Sequence, residues 1–282
     1  MFKTMLESLL QTMNALSMSL LSLEGELTAG LRDGIPLIFE FVLKAQDVIL
    51  PLAYMLLSLF FLLELVRCFQ RTEGGGTASI QMVAFTAIKL VCCKLVVDNA
   101  PKVMEMIFTL LNQLTKGLSE VFGEMAPVAM LGDLDNSYFM GLTMGQNLSI
   151  CVFALAAVAI LGYVWVKSRL LIYMRLLDAY MMVVLAPLPL ATMCSSEWSQ
   201  TGKNYLRSFA SLALQGALIY LTFAVFSLLL GGISFALGNL TAIPGTGGIT
   251  AILFRVILQC ILLMKMMSNL EKKSNRLTGA PG

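Results

Sequence analysis

The sequence predicts an all-α, polytopic membrane protein with about five transmembrane helices and one further segment interrupted by prolines. Its N-terminus is predicted outside the membrane and its C-terminus inside. Of the 282 residues, 58% are hydrophobic and 13% are charged, which is roughly half the charged fraction of an average soluble domain. The mean hydropathy is +0.83. Apolar runs of about 20 residues, the length of a helix that crosses a bilayer, recur along the chain.

The N-terminal part, 1–47, is predicted to be an amphipathic region outside the membrane. Apolar residues recur there at helical spacing, and acidic side chains outnumber basic ones. The first predicted span, 48–66, ends at Arg67 and Arg71, before a loop of three glycines. Cationic residues next to a span are retained in the cytoplasm, so this loop is predicted to lie inside.

The second predicted span, 79–97, completes a region at 48–98 that holds two transmembrane helices. It contains Lys89 and Lys94, and a lysine at the centre of a span costs about 3 kcal/mol on insertion scales. Two interpretations stay open. Either both lysines reach back to the membrane surface, or they face a pore or a partner.

The next region, 99–146, is predicted to combine an extracytoplasmic amphipathic helix at 101–123 with an acidic loop. One face of the helix is apolar, with Val103, Ile107, Leu110, Leu111, Leu114 and Leu118, and its predicted polar face carries Lys102, Glu105, Asn112, Lys116 and Glu120. The loop after it is acidic and has no Lys or Arg, which favours the outside.

The membrane core is predicted at 147–267 and a basic cytoplasmic tail at 268–282. A third span, 148–166, stops at Lys167 and Arg169. If the next segment, 170–193, crossed fully, the cations that follow it would lie outside, against the positive-inside rule. It is therefore predicted to be re-entrant or broken at Pro187 and Pro189, because proline interrupts helical hydrogen bonding. Two more spans are predicted, at 209–230 and 249–267, and a six-span topology stays open.

Arg175 and Asp178 stand inside this apolar segment. Three residues apart, they share a face of a helix and can form an ion pair, which lowers the cost of burying each charge at membrane depth. The pair is predicted either to orient the segment or to contribute to a polar lining along a translocation path.

Known catalytic and metal-binding motifs are absent from the sequence. The chain has no histidine, which excludes His-dependent triads and His metal ligands. Its six cysteines have no CxxC spacing, and no HExxH, phosphate-binding glycine loop or GxSxG occurs. The sequence predicts a protein that is not an enzyme, with no catalytic residue, cofactor or metal.

Two stretches carry a resemblance to a known family. The run APLPLAT, followed by EWSQTGKNYLRSFASLALQGALIY, and the upstream run ILPLAYMLLSLFFLLELVRCFQRTEGGG are similar to TrbL-like conjugal transfer proteins, in particular to those of Gram-positive conjugative elements. These are polytopic inner-membrane subunits of type IV secretion systems. The resemblance implies a multi-pass protein of the bacterial cytoplasmic membrane that serves as a channel or platform subunit for conjugative DNA transfer.

The resemblance also implies partners. They are other type IV secretion subunits, including cytoplasmic ATPases and bitopic scaffold subunits, further copies of this chain, the surrounding lipid bilayer, and the translocated DNA–relaxase complex. The turn after the prolines is a predicted interfacial anchor or docking site, through Glu197, Trp198, Lys203, Asn204 and Tyr205. Small residues and one amide beyond it predict close helix packing, within or between subunits, at Ala213, Gln215, Gly216 and Ala217.

An alternative function of a different class is a secondary transporter for a small solute. That class is typically built from inverted repeats with unwound helices in corresponding halves. The sequence has one interrupted segment and no evident internal repeat, which favours the secretion subunit.

Overall fold

A computed structural model of the chain describes residues 8–9, 11–12, 15–16, 19, 30–71, 77–122, 144–241 and 246–278. Over these ranges the secondary structure is helical and contains no β-strand, as the sequence predicts. Most of the predicted N-terminal amphipathic helix lies outside the described residues, and so does the acidic loop at 123–143.

Nine α-helices and one 3-10 helix are described. The helices are α1 (Leu31–Gly34), α2 (Pro36–Arg71), α3 (Thr77–Asp98), α4 (Ala100–Phe122), α5 (Met144–Leu185), α6 (Pro187–Ala191), α7 (Ser199–Thr241), α8 (Thr246–Ser268) and α9 (Leu270–Thr278). The 3-10 helix, Thr192–Cys194, follows α6.

The predicted first span lies within a helix that begins much earlier. Pro36 is the first residue of the 36-residue helix α2. Proline is favoured at this position because the first N–H groups of a helix have no helical partner and the fixed φ of the ring suits a helix start. The predicted first span, 48–66, is therefore the middle part of a longer helix.

The third predicted span and the segment after it form one helix. α5 continues without a break through Lys167 and Arg169 over 42 residues, a length of about 63 Å. No break therefore separates the predicted third span from the segment after it, and the chain is interrupted at the predicted prolines, Pro187 and Pro189. The number of crossings stays a prediction. Lys167 and Arg169 do not end the helix.

Three described helices are long and apolar enough to cross a membrane: Pro36–Gln70, Ile150–Leu185 and Ser199–Phe226. Val256–Ser268 is a shorter apolar helix. Helix α3, which contains the predicted second span, is not among the three. Its Lys89, Lys94 and Asp98 lower the hydropathy of a stretch that is otherwise apolar.

The chain divides into two compact units. The first comprises Met1–Thr28, Thr115–Tyr173 and Ala217–Leu270. Its described core is apolar and drawn from α5, α7 and α8, with Ile150, Leu161, Val164, Phe226, Val256 and Leu263 among its buried side chains.

The second unit comprises Ala29–Leu114, Met174–Gly216 and Glu271–Gly282. Tyr180 joins α5 to the start of the unit: its hydroxyl donates to the Leu31 carbonyl at 2.7 Å and accepts from the Ile35 N–H at 3.2 Å. Helix α9 is attached to α7 by two serines, with the Ser211 and Ser274 hydroxyl oxygens 3.0 Å apart. Ser274 is only 2% exposed.

The buried face of α4 is not the apolar face that the sequence predicts. It is displaced around the helix axis. Met104, Phe108 and Asn112 are buried, whereas Leu110 and Leu114 are largely exposed. Asn112 was predicted on the polar outer face. Its amide is instead buried and accepts a hydrogen bond from Arg175 of α5.

Candidate functional site

The candidate site is the buried guanidinium of Arg175, a side chain that is 5% exposed. Its Nε donates to the Leu212 carbonyl at 3.2 Å, and its Nη2 donates to the Ala213 carbonyl at 3.1 Å. Helical carbonyls keep a second lone pair, so they can accept these bonds without losing their helical partners. Helix α7 thus offers two backbone acceptors to a charge that would be costly to bury alone.

Helix α4 completes the surroundings of this charge. The Asn112 Oδ1 accepts a hydrogen bond from Arg175 Nη2 at 3.4 Å, and the guanidinium carbon lies 5.1 Å from the centre of the Phe108 ring. A cation over the face of an aromatic ring is attracted by the negative potential of that face. Within the second unit, segments of α4, α5 and α7 therefore meet at one arginine.

Gly216 leaves the space that the guanidinium occupies. A Cβ at this position would overlap the Cζ, Nη1 and Nη2 atoms of Arg175. Ala213 is fully buried, and Gln215 and Ala217 are 7% and 3% exposed. In the described structure, two of the predicted helix-packing residues, Ala213 and Gly216, directly contact the arginine or leave room for it.

The contacts described for the Arg175 guanidinium are with other helices, and its predicted ion pair with Asp178 stays a prediction. The guanidinium bonds to Asn112 and to two carbonyls of α7, while Asp178 is exposed. The long arginine side chain reaches the neighbouring helices, and a residue three positions on along α5 faces outward. Helical spacing placed the two residues close together along α5 but could not identify the acceptors on α4 and α7.

The two prolines end the long helix α5. The Ala186 N–H bonds to the Val183 carbonyl at 3.4 Å, one residue short of its helical acceptor, and the Met182 carbonyl accepts from the Tyr205 hydroxyl instead. Both Pro187 and Pro189 lie within the five-residue helix α6. Tyr205, predicted as an interfacial anchor, thus satisfies a backbone carbonyl next to the break.

The start of α7 packs closely against this proline segment. A Cβ at the buried Gly202 would lie 2.7 Å from the Pro189 carbonyl oxygen and would overlap Met193 Cγ. The Thr192 hydroxyl donates to the same Pro189 carbonyl at 2.7 Å. The start of α7 can lie this close to the proline segment because position 202 has no side chain.

The turn between the proline segment and α7 is held against α2. The Ser196 N–H and hydroxyl donate to Glu64 Oε2 at 3.2 Å and 3.1 Å, and Glu197 forms an ion pair with Arg67. The Trp198 ring lies 6.2 Å from the ring of Phe60. Glu197 and Trp198, predicted as an anchor or docking site, make contacts within the chain and are still exposed.

Glu64 was missed by sequence reasoning. Besides Ser196, it lies 3.5 Å from Arg67 Nη1 and 4.0 Å from Lys89 Nζ. The available signal was an acidic residue near the end of an apolar span, since such a residue is expensive unless it is paired. Of the remaining turn residues, Lys203 is exposed and the Asn204 Oδ1 accepts from Gln200 Nε2 at 2.9 Å.

The two lysines of α3 have different surroundings. Lys89 is half-buried and approaches Glu64. Lys94 is exposed and lines a groove between α2 and α3. In the part of the chain that the structure describes, no group of three or more His, Cys, Asp or Glu side chains could hold a metal ion.

A protein-family model matches residues 35–187, more than half of the 282-residue chain. Its description is TrbL/VirB6 plasmid conjugal transfer like protein. The match covers α2 to the first residue of α6, and therefore includes Arg175 but not the turn after the prolines. No curated protein and no solved structure matches the chain. The chain belongs to the TrbL/VirB6 family of plasmid conjugal transfer like proteins, which confirms the resemblance seen in its sequence.

Proposed function

We propose that this chain is a non-catalytic, membrane-embedded subunit that forms part of the translocation path or assembly platform of a type IV secretion system. Membership of the conjugal transfer family carries the proposal. Long apolar helices with exposed apolar side chains, such as Val48, Met55 and Phe85, support a position within lipid. Energy for DNA transfer then comes from separate cytoplasmic ATPases, and several copies of the chain assemble with scaffold subunits around the path.

Within this function, Arg175 is a structural cation at the meeting point of α4, α5 and α7. Its buried hydrogen bonds hold these three helices in fixed positions relative to one another. A path or platform built from helices requires such fixed positions. The turn at 195–198, held on α2 by Glu64 and Arg67, presents exposed Glu197, Trp198 and Lys203 as a docking surface for other subunits.

Deletion of the gene in a conjugative donor is expected to abolish DNA transfer while relaxase nicking at the transfer origin continues. The physical reason is that a channel or platform subunit acts after DNA processing. Transfer frequency and nicking are measured side by side, and a plasmid copy of the wild-type gene serves as the control by restoring transfer. Normal transfer by the deletion strain would contradict the proposal.

We also propose a topology in which five helices, α3 and α8 among them, each cross the membrane once. We propose that α2, α5 and α8 run inward and that α3 and α7 run outward. The single crossing by α5 supports an inside position for the turn before α7 without a re-entrant segment. It brings Arg67, Lys203 and the basic tail to the same side, as the positive-inside rule requires.

Cysteine labelling tests this topology in intact cells. In a version without native cysteines, we expect a membrane-impermeant maleimide to label a cysteine at Asp133 at once. Cysteines at Thr201 and Lys272, both exposed in the structure, are expected to react only after permeabilisation. Ser274 is unsuitable for this purpose because it is buried against Ser211. Labelling of Thr201 in intact cells would place the turn outside and refute this topology.

A further inference from the structure

A groove of ≈ 350 Å³ lies between α2 and α3. Its lining combines apolar side chains with a few polar groups: Leu57, Phe61, Leu90, Tyr54, Ser58 and Lys94. Ligand sites commonly have this volume range and this composition, in which apolar walls contain few, well-placed polar groups. The groove is therefore suited to a ligand with an apolar body and one polar end.

Lys94 supplies the charge of this groove. Among the described residues no carboxylate is recorded within ion-pair distance of its Nζ, whereas Lys89 on the same helix lies 4.0 Å from Glu64. The nearby acid Asp98, one turn further along α3, accepts a hydrogen bond from the Tyr54 hydroxyl at 2.6 Å. Among the described residues, Lys94 is thus a cation on an apolar helix without a carboxylate in ion-pair contact, and an anionic ligand could supply the counter-charge.

We propose that this groove binds an anionic phospholipid, with an acyl chain along Leu57, Phe61 and Leu90 and the phosphate at the Lys94 ammonium. The bilayer around an apolar helix supplies such molecules at high concentration, and basic pockets between transmembrane helices bind phospholipid headgroups. A charge-assisted contact to phosphate satisfies the lysine. The acyl chain packs against the apolar walls of the groove. The proposal does not depend on the conjugative function.

The test is native mass spectrometry of the full-length, detergent-purified protein during titration with phosphatidylglycerol. Phosphatidylcholine with the same acyl chains tests the charge, and inorganic phosphate tests whether the phosphate group suffices without a chain. Lys94→Gln is expected to weaken phosphatidylglycerol binding by about tenfold or more, the usual size of a lost charge-assisted contact. Lys116→Gln removes an exposed lysine outside the groove and is expected to change binding less than about twofold.

Two further variants separate charge from shape. Lys94→Arg keeps the charge and is expected to retain phosphatidylglycerol binding. Ser58→Phe keeps Lys94 but fills the groove, and it is expected to weaken the binding of both lipids. Equal binding to wild type and Lys94→Gln, equal affinity of wild type for the two lipids, or no lipid binding by wild type would each overturn the proposal. Effective competition by inorganic phosphate alone would show a phosphate site in place of a lipid site.

Discussion

Replacing Gly216 with alanine is expected to lower the free energy of unfolding by about 3 kcal/mol, because it forces the Arg175 guanidinium out of its site. The added Cβ would overlap three guanidinium atoms. The displaced charge then loses its bonds to the Leu212 and Ala213 carbonyls and to Asn112. Alanine at a helix interior normally stabilises by about 1 kcal/mol relative to glycine, so the clash reverses the usual sign. Thermal unfolding in detergent measures the change.

Gly162→Ala is the matched control. Gly162 also lies in the interior of a long apolar helix, and a Cβ there meets nothing within 4 Å. Its substitution is therefore expected to leave the midpoint of unfolding unchanged or slightly raised. A second control combines Gly216→Ala with Arg175→Met, which removes the guanidinium and with it the overlap.

The double variant distinguishes the proposed cause from a general intolerance of position 216. Arg175→Met alone replaces the buried charge by an apolar side chain of similar length and is expected to cost about 1 kcal/mol, because Asn112 loses its hydrogen bond to the guanidinium. We therefore expect the double variant to be more stable than Gly216→Ala by about 2 kcal/mol or more, a coupling typical of residues in contact. Additive effects of the two substitutions would mean that Gly216 does not act through Arg175.

The long apolar runs within α2, α5 and α7 were predictable from the sequence, but the continuity of α5 was not. Transfer of a chain into lipid depends on the summed hydropathy of about 20 consecutive residues, and this sum needs no knowledge of neighbours. A helix end, in contrast, requires a break in backbone hydrogen bonding, and Lys167 and Arg169 supply none. Their charges lie near the rings of Tyr163 and Trp165, at 5.7 Å and 5.4 Å, while the backbone stays helical.

Partners across helices could not be predicted from spacing. The positions of Arg175 and Asp178 indicated a pair along one helix, yet the arginine binds acceptors 37, 38 and 63 residues away in sequence. Glu64 likewise binds Ser196, 132 residues away. A single sequence identifies the residues that need a partner, because charges in apolar runs are costly. It does not identify the distant residue that serves as the partner.

Gly202→Ala is expected to lower the free energy of unfolding by about 2 kcal/mol and to separate the proline segment from α7. The new Cβ would lie 2.7 Å from the Pro189 carbonyl oxygen, a backbone atom that is fixed because Pro187 and Pro189 restrict the chain around it. Thermal unfolding reports the loss of stability. Hydrogen exchange of residues 186–198 is expected to increase, since the segment would no longer pack on α7.

A second substitution identifies which contact decides the effect. The Cβ would also overlap Met193 Cγ, but a methionine side chain is flexible and can change rotamer. We therefore expect Met193→Ala, added to Gly202→Ala, to recover less than about half of the lost stability. The remaining loss of stability comes from the overlap with the backbone oxygen of Pro189, which a side-chain substitution does not remove. Full recovery of stability would show that the overlap with Met193 causes the effect. Unchanged hydrogen exchange in Gly202→Ala would show that packing of the proline segment does not depend on the absence of a side chain at position 202.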